Sequence, residues 1–145
     1  MKHKNSVTQT YIKRDCDILP TLFKQARTMA VFPTTMRKIC TIAAGLPTPF
    51  FCISDDAALD YARKRYLNGL EKHFKSPYKQ RLFNAFWDKF LEIKTRCPQM
   101  SLQSAVFSAL ACPAPCVGLT PWIIQFKVSR ILRIKSQKPH LHPPR

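Results

Sequence analysis

Two stretches of the chain share one proline grammar. "LPTPFFCISDDAA" covers residues 46–58 and "CPAPCVGLTPWII" covers residues 112–124, an offset of 66. Proline fixes φ and removes a backbone donor, so it marks element boundaries. A chain with twelve prolines and only three glycines must be punctuated largely in this way. Under the offset, Pro47 meets Pro113 and Pro49 meets Pro115. Phe50-Phe51 meet Cys116-Val117, Cys52 meets Gly118, Ile53 meets Leu119 and Ser54 meets Thr120. Each copy reads as an extended lead-in, a short apolar run and a hydroxyl residue that caps a helix. Residues 46–65 and 112–131 therefore form an internal repeat. The expected arrangement pairs the short strands 50–53 and 116–119 and stacks the following helices about a pseudo-twofold.

The helical periodicity predicts a mainly α fold with about four helices: 55–74, 77–96, 102–111 and 121–136. Ser54 caps the first, and Asp55 and Asp56 suit the positive end of its dipole. Leu59, Ala62, Tyr66 and Leu70 would form its apolar stripe. The second has Ser76 as cap, Pro77 at the first helical position and a broad apolar face. Tyr78, Leu82, Phe83, Phe86, Trp87, Phe90 and Ile93 make that face, a core pattern rather than a stacking platform. Ser101 and Thr120 cap the third and fourth. Residues 1–35 read as a basic, flexible extension with one short helical candidate near Pro20–Val31, and Met36 as an alternative start. Residues 36–136 would be a single domain, and 137–145 a disordered proline-rich tail.

Charge points to the partner. Lys and Arg number 24 against 8 Asp and Glu, for a formal net charge of +16. Six of the acids fall between Asp55 and Glu92, the other two are Asp15 and Asp17, and residues 101–145 contain none. Such a surface favours a polyanion. No uncharged run reaches the ~18–20 apolar residues of a membrane span. The six cysteines lack the spacing of a secreted disulfide framework and read as reduced, mostly buried thiols in a cytoplasmic protein.

The Pro-Ala-Pro of residues 113–115, an apolar pair, Leu119-Thr120-Pro121 and the basic helix after it resemble a motif of small basic proteins from Bacteroides-type bacteria. The similarity covers about residues 36–136 and departs at Cys116-Val117, where that motif has aromatic residues. It implies a bacterial cytoplasmic protein and a start at Met36, and it brings no activity with it.

Catalytic chemistry finds little support. Cys112 and Cys116 have C-x3-C spacing and His140-x-His142 follows, but the histidines lie beyond a long helix and both thiols occupy apolar repeat positions. Packing is the better reading than zinc. His73 stands alone near a helix end, and Gly45, Gly69 and Gly118 are too far apart for a phosphate loop. No enzyme activity, metal, cofactor or small-molecule substrate is expected. The favoured reading is a small DNA- or RNA-binding protein that contacts phosphates through basic helices, with a regulatory role open to it. Its candidate residues are Arg63, Lys64, Arg65, Lys127, Arg130, Arg133, Lys135 and Lys138. On the last helix, Ile124, Val128, Ile131 and Leu132 form the core face, with Trp122, Phe126, Arg130 and Arg133 opposite. The helices around 102–111 and 121–136 form a loose helix-turn-helix, although their connection exceeds the usual ~3–4 residues. The alternative is an interaction module or homo-oligomer that uses the apolar Pro-x-Pro segments with Trp122 and Phe126 as its self-association surface.

Overall fold

The computed structural model describes residues 9–141, and side chains as far as Arg133. It is mainly helical, with a π-helical turn at Arg14–Ile18 followed by six α-helices among the described residues. These are α1 (Leu19–Met29), α2 (Met36–Ala44), α3 (Asp55–Asn68), α4 (Pro77–Arg96), α5 (Leu102–Leu110) and α6 (Pro121–Leu141).

The helices fall into two sets of three, and the 66-residue offset relates them. α2 maps onto α5, residue for residue, and the start of α3 maps onto that of α6. The caps follow the same rule. Thr35 and Ser101 accept the N–H of Lys38 and Ser104, while Ser54 and Thr120 accept that of Ala57 and Ile123. Burial repeats as well. Ile39, Cys40, Ala43 and Ala44 are buried on α2, and Ala105, Val106, Ala109 and Leu110 on α5. Ala58 and Ala62 correspond to Ile124 and Val128. For the first helix of each set the offset is 64: Leu19, Leu22, Phe23 and Ala26 match Phe83, Phe86, Trp87 and Phe90.

The two sets exchange their third helices. α1 packs on α2 and α4 on α5, but α6 packs on α2, and α3 packs on α5. One core is built from α3, α4 and α5, and the other from the π turn, α1, α2 and α6. The extended lead-ins serve both. Successive side chains of extended backbone point to opposite sides. Phe51 and Ile53 enter the first core and Cys52 the second; Cys116 enters the first and Val117 the second.

The lead-ins cross at Thr48 and Ala114, which are equivalent under the offset. Each N–H donates to the other's carbonyl, at 2.9 and 3.0 Å. This is an isolated antiparallel bridge, not the expected pairing of 50–53 with 116–119. The backbone of the expected strand is used elsewhere: the Phe51 N–H donates to the Leu110 carbonyl at the end of α5, at 3.0 Å.

Other boundaries also differ from expectation. α2 was not foreseen. α3 ends at Asn68 rather than 74, because Gly69 takes a left-handed φ of 69° and its N–H closes on the Arg65 carbonyl. Its buried face is Ala58, Tyr61 and Ala62, while Tyr66 and Leu70 are exposed. α5 stops at Leu110, and α6 continues to Leu141. The N-terminal segment is no flexible tail over the described part of 1–35. Ile18, Leu19, Leu22, Phe23 and Ala26 are buried and complete the second core. The helix-turn-helix reading of α5 and α6 fails on packing, because their buried residues belong to different cores.

Gly118 is the tightest point of the crossing. Its φ is 85°, and a Cβ there would lie 2.5 Å from Leu82 Cδ2. Gly45 has an ordinary φ, a Cβ there would meet the Ile42 carbonyl oxygen at an ordinary 3.7 Å, and its counterpart Ala111 already carries a methyl group in a similar conformation. Gly118→Ala should therefore cost about 2 kcal/mol or more, from left-handed strain plus overpacking. Gly45→Ala should be close to neutral. Thermal unfolding followed by circular dichroism checks the pair: a melting temperature lowered several degrees only by the first is the expected result.

Candidate functional site

α6 buries Ile124 and Val128 against α1 and α2 and turns its other side to solvent. Trp122 is 67% exposed and Phe126 61% exposed. They stand four residues apart, so they share one side of the helix. The Arg37 guanidinium of α2 lies 6.0 Å from the Trp122 ring centre, and that of Arg130 lies 5.9 Å from the Phe126 ring centre. Arg37, Arg130 and Arg133 are exposed. The outcome is a row of Trp122, Phe126 and Arg130 along α6, flanked by Arg37. Leu132, expected in the core, is 46% exposed.

The eight basic residues singled out from sequence have different fates. Arg65 is engaged structurally. It donates to the Tyr61 hydroxyl at 2.7 Å, lies 4.6 Å from the Trp87 ring centre and reaches Glu71 at 3.4 Å. Lys127 is also engaged: its ammonium holds Asp15 Oδ2 at 3.0 Å and ties α6 to the π turn. It occupies the repeat position of Tyr61, which is buried in the first core. Lys64 pairs with Asp60 at 3.1 Å, but this exposed pair costs little to open. Arg63, Arg130 and Arg133 are exposed, and none of them takes part in an ion pair among the described residues. The Lys135 and Lys138 side chains lie outside the described residues, as do those of His140 and His142.

Arg37 was missed from sequence. It lies in α2, far along the chain from α6, and joins the row only because the third helices are exchanged. The outward aromatics were already visible on the helical wheel of 121–136.

A cleft of about 570 Å³ opens beside α3 and the start of α6, with Lys64, Lys72, Lys79, Phe74, Cys52 and Thr120 in its walls. Burial pushes the Cys52 thiol up to about 11, so it is protonated at neutral pH. Burial also raises the Cys40 and Cys116 thiols. Cys116 is buried with its thiol 3.6 Å from the Tyr78 carbonyl, and the Cys112 thiol lies 3.4 Å from the Ser108 carbonyl. All six cysteines are free. No helix among the described residues is long and apolar enough to cross a membrane.

Comparison with known families, curated proteins and solved structures gives no match for the chain.

Partial burial raises the Asp15 carboxyl, but hydrogen bonds and charge from Arg14 and Lys127 outweigh it and leave the pKa below the ordinary carboxylate value. A carboxylate held low in the folded state contributes stability above its unfolded pKa of about 4 and loses it as pH falls through the folded pKa. Wild type should lose more stability than Asp15→Asn between about pH 5 and pH 3. Urea unfolding of both proteins across that range measures the difference. Parallel pH profiles would show that the Arg14 and Lys127 contacts of Asp15 together contribute nothing.

Proposed function

We propose that this protein binds nucleic acid and contacts phosphates through α6 and its flank. The single observation that carries the reading is the exposed, unneutralised arginine set on α6. Arg130 and Arg133 have no carboxylate partner among the described residues, and residues 101–145 contain no acid. Arg37 adds a third guanidinium from α2. Phosphate contacts supply most non-specific affinity, and an uncompensated basic surface is their footprint. Arg63 and Lys64 on α3, and Lys135 and Lys138 farther along α6, would extend the contact. In this reading the protein is a binder rather than an enzyme, and DNA and RNA are both admissible. Six free cysteines suit a reducing, cytoplasmic setting.

The alternative of an interaction module would use a smaller surface than the whole Pro-x-Pro segments. Thr48 is 3% and Ala114 2% exposed, and Phe51, Cys52, Cys116 and Val117 are buried with them. Pro47, Pro49 and Pro113 are exposed, and with Trp122 and Phe126 they are what such a module would offer a partner.

A gel-shift titration over salt tests the proposal. Affinity should fall steeply with salt, because bound phosphates release counterions. Arg130→Gln with Arg133→Gln should lower the slope of log K against log[salt] by about 1.5–2. The helical circular dichroism should be unchanged, since both side chains are exposed. Flat salt dependence, or no binding at low salt, would contradict the proposal.

A further inference from the structure

We infer that the outer face of α6 is a stacking platform for single-stranded nucleic acid, with Trp122 and Phe126 each receiving one base. The inference rests on the nucleic-acid reading above and narrows its ligand. Phosphate contacts alone call for basic residues; they give no reason to hold two large aromatic rings in water. Burying such a ring is favourable, so exposed aromatics beside a basic row mark a surface that another molecule covers.

The geometry suits separated bases. Successive helical residues rise about 1.5 Å, so the two rings follow one another at about 6 Å along α6. Bases in a duplex strand repeat at about 3.4 Å and present only their edges. A single strand can unstack and lay one base face on each ring. The cations stand where its phosphates would run. Arg37 and Arg130 lie about 6 Å from the ring centres, near the outer limit of a cation–π contact. Such weak contacts yield easily to a base on the ring and a phosphate at the guanidinium. Charge selects the occupant further: the face is cationic, and its helix carries no acid. An interfacial membrane helix would present a continuous apolar side. Here Ile124 and Val128 are used in the core, and the outward row changes from aromatic to basic within two turns.

The test compares a twelve-nucleotide oligo-dT with a hairpin duplex in low salt, using full-length protein and its own fluorescence. The chain has two tryptophans, and Trp87 is buried, so quenching by the oligonucleotide reports Trp122. The single strand should bind more tightly and quench. Trp122→Ala and Phe126→Ala should each weaken it by about fivefold or more, and Trp122→Phe should keep most of the affinity. Neither alanine variant should change the salt slope or the helical signal. Equal duplex affinity with unaffected variants would overturn the inference and leave the nucleic-acid reading standing. Absence of binding to either oligonucleotide at low salt would overturn both. Binding to phosphatidylserine vesicles alone, or a dimer that Trp122→Ala dissolves, would assign the face to a membrane or to a second copy and overturn the inference.

Discussion

The paired amides of Thr48 and Ala114 set the register of everything else. Two hydrogen bonds contribute only about 1 kcal/mol each in net terms. That is small beside the burial of Phe86, Phe90 and Ile124, each worth roughly 2–3 kcal/mol. Their importance lies in what a slip would do. Both residues are buried, so breaking the bridge strands two donors and two acceptors away from water, at about 1–3 kcal/mol apiece. A slip of one residue would also turn Phe51 and Cys52 toward the wrong cores. The bridge adds little to stability and fixes which core each side chain enters.

From that crossing the exchange of helices follows. Each lead-in carries its third helix across to the other set, so neither core is complete without a helix from the far half of the chain. The candidate interface inherits this. Arg37 meets Trp122 because α6 lies on α2, and Lys127 meets Asp15 because the same helix lies on the π turn. The two sets of helices differ in chemistry at matching positions. Tyr61 joins an aromatic cluster with Phe83 and Trp87, while its counterpart Lys127 holds a carboxylate. Arg63, by contrast, sits on a helix that begins with two acids, and Ser129, its counterpart on α6, is flanked only by basic and apolar residues.

Much of this was legible in the residues. α4 runs Pro77–Arg96 as its cap and apolar face indicated, and the caps at Ser54, Ser101 and Thr120 start helices where expected. α2 was not read because Ile39–Ser54 is uncharged, and its hydrophobicity masked the spacing of Ile39, Cys40, Ala43 and Ala44. Carrying the 66-residue offset upstream from Ser101 to Thr35 would have found it. The spacing of α3 places Ala62 in its stripe, as observed, but pairs it with Leu59 and Tyr66 where the buried neighbours are Ala58 and Tyr61, because Ala58 looks unremarkable. Small residues are what let α3 approach α5 closely, and the larger Leu59 and Tyr66 stand at the margin. α1 was set aside with the extension because a single short helix shows no partner in sequence. Of the candidate site, the exposed arginines and aromatics of α6 could be read from its wheel. The engagement of Lys127 and Arg65 could not, since both depend on contacts made across the fold.

The crossing itself is open to direct measurement by native-state hydrogen exchange. If the bridge fixes the register, the Thr48 and Ala114 amides exchange only on global unfolding, at the same rate as each other and as the innermost amides of α4. Exchange of either amide through local opening, while α4 stays protected, would show that the two halves hold their exchanged helices without it and would contradict the account.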